Sequence, residues 1–231
     1  MGWFHPHRGS RARVLFTYVA DLPVHLTGDL ADRLTRALDR EGKIARALEA
    51  LGPIVARDVF IVDNAAGARA RELEAAGALV VSVDGTLETL SPGSVDAIVS
   101  YWSAFRGPSE AAVADADRAL RPDGRLLVVH DYGRDDVSRI RGDLPEYGSW
   151  SKRDGWYLKN GFKMRVIHAF WTFETLEEMR TFLGEAFGEI GTAVGETLKR
   201  PRLSYNVAIY HRTRGDTGES PPAKVEPSGH H

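Results

Sequence analysis

Four apolar runs between residues 59 and 129 each end on a polar or aromatic cluster, and that rhythm constrains the fold more than any other feature of the chain. Val59-Phe60-Ile61-Val62 ends on Asp63-Asn64-Ala65-Ala66-Gly67. The run at 78–83 ends on Asp84, the run at 95–100 on Tyr101-Trp102, and the run at 125–129 on His130-Asp131. A helical segment from Ala68 to Ala76, closed by Gly77, separates the first two. A second at 109–120, followed by Arg121-Pro122-Asp123-Gly124, separates the last two. Strands that alternate with helices predict an α/β fold: a mostly parallel sheet with helices on both faces. In such sheets ligands sit at the carboxyl ends of the strands, where this chain puts its acidic and aromatic residues.

Composition narrows the functional classes. At 231 residues the chain is long enough for one sizeable core. The net charge of −2 lacks the basic footprint of a nucleic-acid binder, so no nucleic acid is expected. No run reaches membrane-spanning length, so no membrane role is expected either, and a cytoplasmic location is the simplest expectation. Without cysteine there is no thiolate metal site and no cysteine nucleophile, and scattered histidines argue against a metal site. Phosphate-loop, dinucleotide, serine-hydrolase and zinc-helix motifs are all missing from the sequence.

The expected organisation is a loose N-terminus at 1–12, one domain at 13–211 and a disordered tail at 212–231. The apolar run at 14–20 reads as a strand or as the start of a cap over the site, to which His25 would belong. Thr27-Gly28-Asp29 opens a helix carrying Leu30, Leu34, Ala37 and Leu38 on one face, with Asp29 as its expected cap. A second helix carries Ile44, Ala47, Leu48 and Leu51 and stops at Gly52-Pro53. Residues 133–150 read as a loop or broken helix, 151–160 as a short helix, and 166–171 as a strand. Thr175-Leu176-Glu177-Glu178 is a capping box ahead of a helix that runs to Gly188. Residues 203–210 read as the last strand.

Within this frame, Asp84-Gly85-Thr86-Leu87-Glu88-Thr89-Leu90-Ser91-Pro92-Gly93-Ser94-Val95-Asp96-Ala97-Ile98-Val99-Ser100 resembles the middle of class I S-adenosylmethionine (SAM)-dependent methyltransferases. Ala119-Leu120-Arg121-Pro122-Asp123-Gly124-Arg125-Leu126 resembles that family's turn before its fifth strand. The resemblance covers roughly residues 57–131. It implies a Rossmann-like methyltransferase fold and methyl transfer to a small-molecule substrate. It also implies cofactor contacts from Asp63, Asn64, Gly67, Asp84 and Gly85. Tyr101, Trp102, Asp131 and Tyr132 would face the acceptor, and His130 is the candidate general base.

Two departures accompany the resemblance. Most glycines expected after the first strand are replaced, since the loop reads Asp63-Asn64-Ala65-Ala66-Gly67. One strand–helix unit is also missing. Either the second unit is deleted and Asp84 faces the adenine amine, or residues 78–83 are the second strand, the third is lost, and Asp84 holds the ribose. The alternative function is therefore a methyltransferase-fold protein that no longer binds SAM and acts as a binding or interaction protein. A lost unit also bares a sheet edge, to be covered by the N-terminal segment or by a partner chain, in the latter case as a homodimer.

Glutamine is absent and arginine far outnumbers lysine, a bias shared with heat-tolerant proteins. The expected melting midpoint lies above the mesophile range of about 45–65 °C. A calorimetric scan that places it inside that range would remove the thermophile reading.

Overall fold

Strands whose residues are apolar at every position must be covered on both sides, and this sheet is. The computed structural model describes residues 22–62, 67–81, 86–102, 105, 109–142 and 145–216. The elements in chain order are α1 (Gly28–Ala37), α2 (Lys43–Leu51), β1 (Asp58–Val62), α3 (Ala68–Ala75), β2 (Leu79–Val80), a 3-10 turn (Leu87–Thr89), β3 (Val95–Tyr101), α4 (Glu110–Ala119) and β4 (Leu120–Asp131). They continue with α5 (Asp136–Arg141), α6 (Pro145–Trp150), α7 (Trp156–Lys159), β5 (Lys163–Thr172), α8 (Leu176–Thr197) and β6 (Arg202–Thr213). The sheet order is β2-β1-β3-β4-β6-β5. β1 is parallel to β2 and β3, and β3 to β4, while β6 runs antiparallel to both β4 and β5. This is a mostly parallel, Rossmann-like sheet with helices on both faces.

Alternation divides the core. Val59, Ile61, Ala97, Val99, Leu127 and Val129 face one cluster with α1, α2, α3, α5 and α8. Phe60, Val62, Ile98, Leu126 and Val128 face the other, with α4, Trp150, Tyr157 and Phe162.

The position of β2 resolves which unit is short. Leu79–Val80 pairs directly with β1, on the side away from β3, so it takes the second strand's place. Among the described residues no further strand lies beyond it. It is only two residues long, and Leu79 there is 57 % exposed.

Several local expectations are corrected. Thr27, not Asp29, holds the N-cap position of α1, without a side-chain cap bond, and Asp29 already lies in the first turn. Of the two alternatives for 133–150 the broken helix is found, as α5 and α6, while helix within 151–160 is confined to α7. β6 extends to Thr213 and its ladder reaches Arg125, so the expected tail at 212 begins too early. Residues 14–20 and 217–231 lie outside the described residues. The Thr175 hydroxyl accepts from Glu178 N at 3.0 Å, but the Glu178 carboxylate takes the amide of Glu174 at 2.9 Å rather than that of Thr175.

The turn Arg121-Pro122-Asp123-Gly124 is a bulge within β4. Val95 pairs with Leu120 and Ala97 with Arg125, so four residues bulge opposite Asp96. Arg121 closes it with ion pairs of 2.7 Å to both Asp58 and Asp96, joining β1, β3 and β4 at the amino end of the sheet.

α8 folds back on itself at Gly188 (φ 62°, ψ −140°). Arg180 Nε donates to the Gly195 carbonyl at 3.1 Å across the two arms. The arms touch so closely that a Cβ on Gly191 would lie 2.0 Å from the Leu183 carbonyl oxygen. Gly191→Ala should therefore lower stability by about 2 kcal/mol through forced separation of the arms. Gly148→Ala, where a Cβ meets nothing within 4 Å, is the matched control and should leave the denaturation midpoint unchanged or slightly raised. Equal midpoints for the two variants would show that the arms part at no cost.

Candidate functional site

The chain's direction of travel reverses between β1 and β3. β1 leads through α3 to β2 on one side, whereas β3 leads through α4 to β4 on the other. α3 packs on one face and α4 on the opposite face. The two outgoing chains diverge, and the carboxyl ends of β1 and β3 at such a switch point are the usual ligand position in sheets of this kind.

Asp63, Asn64, Asp84 and Gly85 lie outside the described residues. Gly67 is the N-cap of α3, with φ −80° and ψ −176°. That is ordinary extended backbone, so a left-handed angle does not explain the glycine. Its lack of a side chain leaves the amino end of α3, the positive end of the helix dipole, presented by backbone alone. Arg69 pins α3 in place: it pairs with Glu72 at 2.6 Å and reaches the Thr35 carbonyl of α1 at 3.4 Å.

Tyr101 and Trp102 end β3 and are 1 % and 0 % exposed. Successive strand residues normally face opposite ways, yet both belong to the cluster shared with α1, α5 and α8. The cause is Trp102, whose φ is 48°. A left-handed bulky residue is a strained conformation that its surroundings must enforce. Here the Trp102 amide donates to the Val129 carbonyl at 3.0 Å, which keeps the backbone on β4 while the indole swings round. The indole lies 5.8 Å from the Tyr101 ring and 6.4 Å from Tyr205. Its Nε1 is buried with no hydrogen-bond partner among the described residues. As placed, both rings are packed among other side chains and have no face open for stacking on a ligand.

His130 and Asp131, at the end of β4, diverge in the ordinary way. His130 is fully buried and packs 4.9 Å from Trp150 and 6.4 Å from Tyr157. Tyr157 in turn stacks on Tyr210 at 4.0 Å and donates its hydroxyl to the Phe105 carbonyl. Burial pushes both phenols above their ordinary range, Tyr157 well above it. Asp131 faces the other side, 1 % exposed. Arg141 meets it at 3.1 Å and 3.3 Å, and the Tyr205 hydroxyl donates to it. Arg141 also donates to the Pro23 carbonyl at 2.9 Å, tying the start of the described chain to the end of β4. Tyr132 is half-buried, and its amide donates to the Asn206 carbonyl at 2.9 Å.

Two positioning groups were not anticipated. Asp135 accepts from Ser138 N at 2.8 Å and from Asn206 N at 2.7 Å, capping α5 and stapling it to β6. The readable signal was Asp135-Asp136-Val137-Ser138, an acid followed three residues later by a hydroxyl. Asp39, at φ 52°, caps α2 by accepting from Lys43 N at 3.1 Å and Ile44 N at 2.7 Å. Burial raises its carboxyl pKa, and those two amides oppose the shift. Among the described residues no group of acids and histidines is arranged to hold a metal ion.

Removal of Arg141 would strand the buried Asp131 carboxylate. Arg141→Ala should cost about 3–5 kcal/mol. Urea denaturation measures it, and a loss below about 1 kcal/mol would mean that the pair behaves like an exposed one.

No protein-family model matches this chain, and no curated protein matches it in sequence. Solved structures of similar shape include a candidate type II methyltransferase from Anaeromyxobacter dehalogenans. It is 16% identical, with a TM-score of 0.49, over 74% of this chain and 94% of that one. A candidate methyltransferase from an antibiotic biosynthesis pathway of Anabaena variabilis is 13% identical, with a TM-score of 0.45, over 76% of this chain and 98% of that one. A candidate methyltransferase from Bacillus halodurans is 16% identical, with a TM-score of 0.41, over 80% and 98%. These likenesses are too distant to bear on activity. The chain has the mostly parallel, Rossmann-like α/β sheet that its sequence led one to expect.

Proposed function

We propose that the protein binds SAM at the carboxyl ends of β1 and β3 and directs its methyl group to a small-molecule acceptor. The observation that carries this reading is the divergence of α3 and α4 at that point, with the amino end of α3 following the carboxyl end of β1. The helix end suits a carboxylate such as that of the cofactor's methionine part. Asp63, Asn64 and Gly67 follow β1 in sequence and would complete the loop around it. Asp84 and Gly85 follow β2, which occupies the second strand's place, so in this reading Asp84 receives the ribose hydroxyls. Ala65 and Ala66 are the poorest fit, since they stand where close backbone approach favours glycine.

Bound SAM supplies an activated methyl group on sulfur. The chain's own part is orientation and exclusion of water. Tyr101 and Trp102 form the packed wall at the end of β3 rather than an open platform. His130 is enclosed by Trp150 and Tyr157, and Asp131 is committed to Arg141 and Tyr205. In this arrangement neither offers a base to solvent, so the reading favours an acceptor that is nucleophilic without deprotonation. A second reading, a binding protein that has lost SAM, is favoured by the two-residue β2 and the missing third unit.

Calorimetric titration with SAM and S-adenosylhomocysteine separates the two. Micromolar affinity, about −8 kcal/mol, is the expected result. Asp84→Ala should weaken it by about 1–3 kcal/mol through loss of a buried hydrogen bond. A folded, ligand-free protein that takes up neither compound at millimolar concentration would establish the second reading instead.

A further inference from the structure

The turn from α8 into β6 gathers three cations, none within ion-pair distance of a carboxylate among the described residues, with the exposed Glu41 acting on Arg202 from further off. Lys199, Arg200 and Arg202 line a concavity of about 260 Å³, together with Phe170, Ser204 and Asp136. It opens at the ligand-facing end of the sheet. Arg202 and Ser204 begin β6, which runs antiparallel to β4, and Asp136 begins α5 just beyond β4.

The backbone holds these cations in fixed relation. Arg202 N donates to the Arg200 carbonyl at 2.7 Å, and Phe173 N to the Pro201 carbonyl at 2.8 Å, so the turn is tight and tied to the end of β5. The Arg202 guanidinium lies 4.3 Å from the centre of the Phe170 ring, which orients its plane. Lys43 Nζ lies 4.8 Å from the same ring but is answered by Glu41 at 2.9 Å, so that pair adds no net charge. Asp136 is the acid in the lining, and its carboxylate is already engaged. It accepts from Ser204 N at 2.9 Å, from Ser204 Oγ at 2.7 Å and from Arg139 at 3.2 Å. The lining thus carries three positive charges against one neutralised acid, in a chain whose net charge is −2.

We propose that this concavity is a binding site for a small molecule bearing a phosphate or pyrophosphate group. Two guanidinium forks and an ammonium group suit a multidentate oxyanion better than a single carboxylate. The volume admits a phosphate and a small organic body. The inference does not rest on SAM binding, because it concerns a separate part of the ligand-facing end.

The test is calorimetric titration of the full chain with inorganic pyrophosphate at low ionic strength, with circular dichroism to verify each variant's fold. Wild-type protein should bind with one-site stoichiometry. Arg200→Ala combined with Arg202→Ala should weaken binding at least about tenfold, since charge-assisted hydrogen bonds are lost. Lys199→Ala, which removes an exposed side chain, should weaken it by a smaller factor and covers the case in which the double variant does not fold. Arg165→Ala, an exposed cation elsewhere on β5, should leave it unchanged. Absence of binding by the wild type overturns the proposal. So does a loss in Arg165→Ala equal to that in the turn variants, which would mean diffuse surface attraction.

Discussion

A carboxylate withdrawn from water at the end of β4 sets the geometry of the ligand-facing end. Asp131 cannot stay ionised in that position without compensation. Arg141 and Tyr205 supply it, and they come from α5 and β6. Satisfying one charge therefore fixes a helix against the strand next to β4. The same guanidinium holds the Pro23 carbonyl, so the path of the N-terminal segment depends on the pair as well. Asp135 and Asp136 repeat the device one turn further on, each bonding a backbone amide of β6. Removal of water from these groups makes the arrangement directional, which apolar packing alone would not do.

The strand ends on either side of this anchor show how backbone angles decide what a side chain can do. His130 and Asp131 follow the pleat and point to opposite faces, so they cannot act as a dyad on one ligand. Tyr101 and Trp102 break the pleat through a left-handed Trp102 and fall on the same face. A Trp in that conformation costs about 1–3 kcal/mol, offset here by complete burial and by the amide bond to Val129. The strain sits beside the β1–β3 switch point, at the border between core and candidate site.

Much of the fold was legible because it follows from apolar periodicity and local turn chemistry. The runs beginning at Val59, Val95 and Arg125 are strands, Ser109 and Thr175 cap helices through their hydroxyls, and α2 ends at Gly52. Less legible was whatever depends on partners distant in sequence. The pairing of Asp131 with Tyr205 spans 74 positions, and that of Asp136 with Ser204 spans 68. No local pattern announces either. The burial of Tyr101 and Trp102 was hidden for a related reason. An aromatic pair at a strand end reads equally as platform or as core, and only the φ of Trp102 and the rings around it decide. Of the candidate cofactor residues, Gly67 can be placed at the head of α3, whereas the proposed parts played by Asp63, Asn64, Asp84 and Gly85 rest on their order in sequence.

The shortened edge also bears on ligand choice. A full third unit would flank the switch point on the β2 side. Here β2 is two residues long, and in the proposed reading Asp84, which follows it in sequence, would be the one acid offered where two separate handles would otherwise stand. The brevity of β2 limits the unpaired backbone that an open edge presents to other chains, although Leu79 and nearby Val55 remain about half exposed. The amino end of the sheet is built differently. Arg121 bridges Asp58 and Asp96 and locks β1, β3 and β4 together through a bulge. One end is thus closed by ion pairs among strands that are themselves neighbours. At the other, charges reach from β4 to α5, β6 and the N-terminal segment, and the β1–β3 switch point lies on the side of β3 away from them. Such a sheet holds its strands together at the base by ion pairs between neighbours, and under the proposed function the recognition groups would be carried by the connections, where changes need not disturb the core.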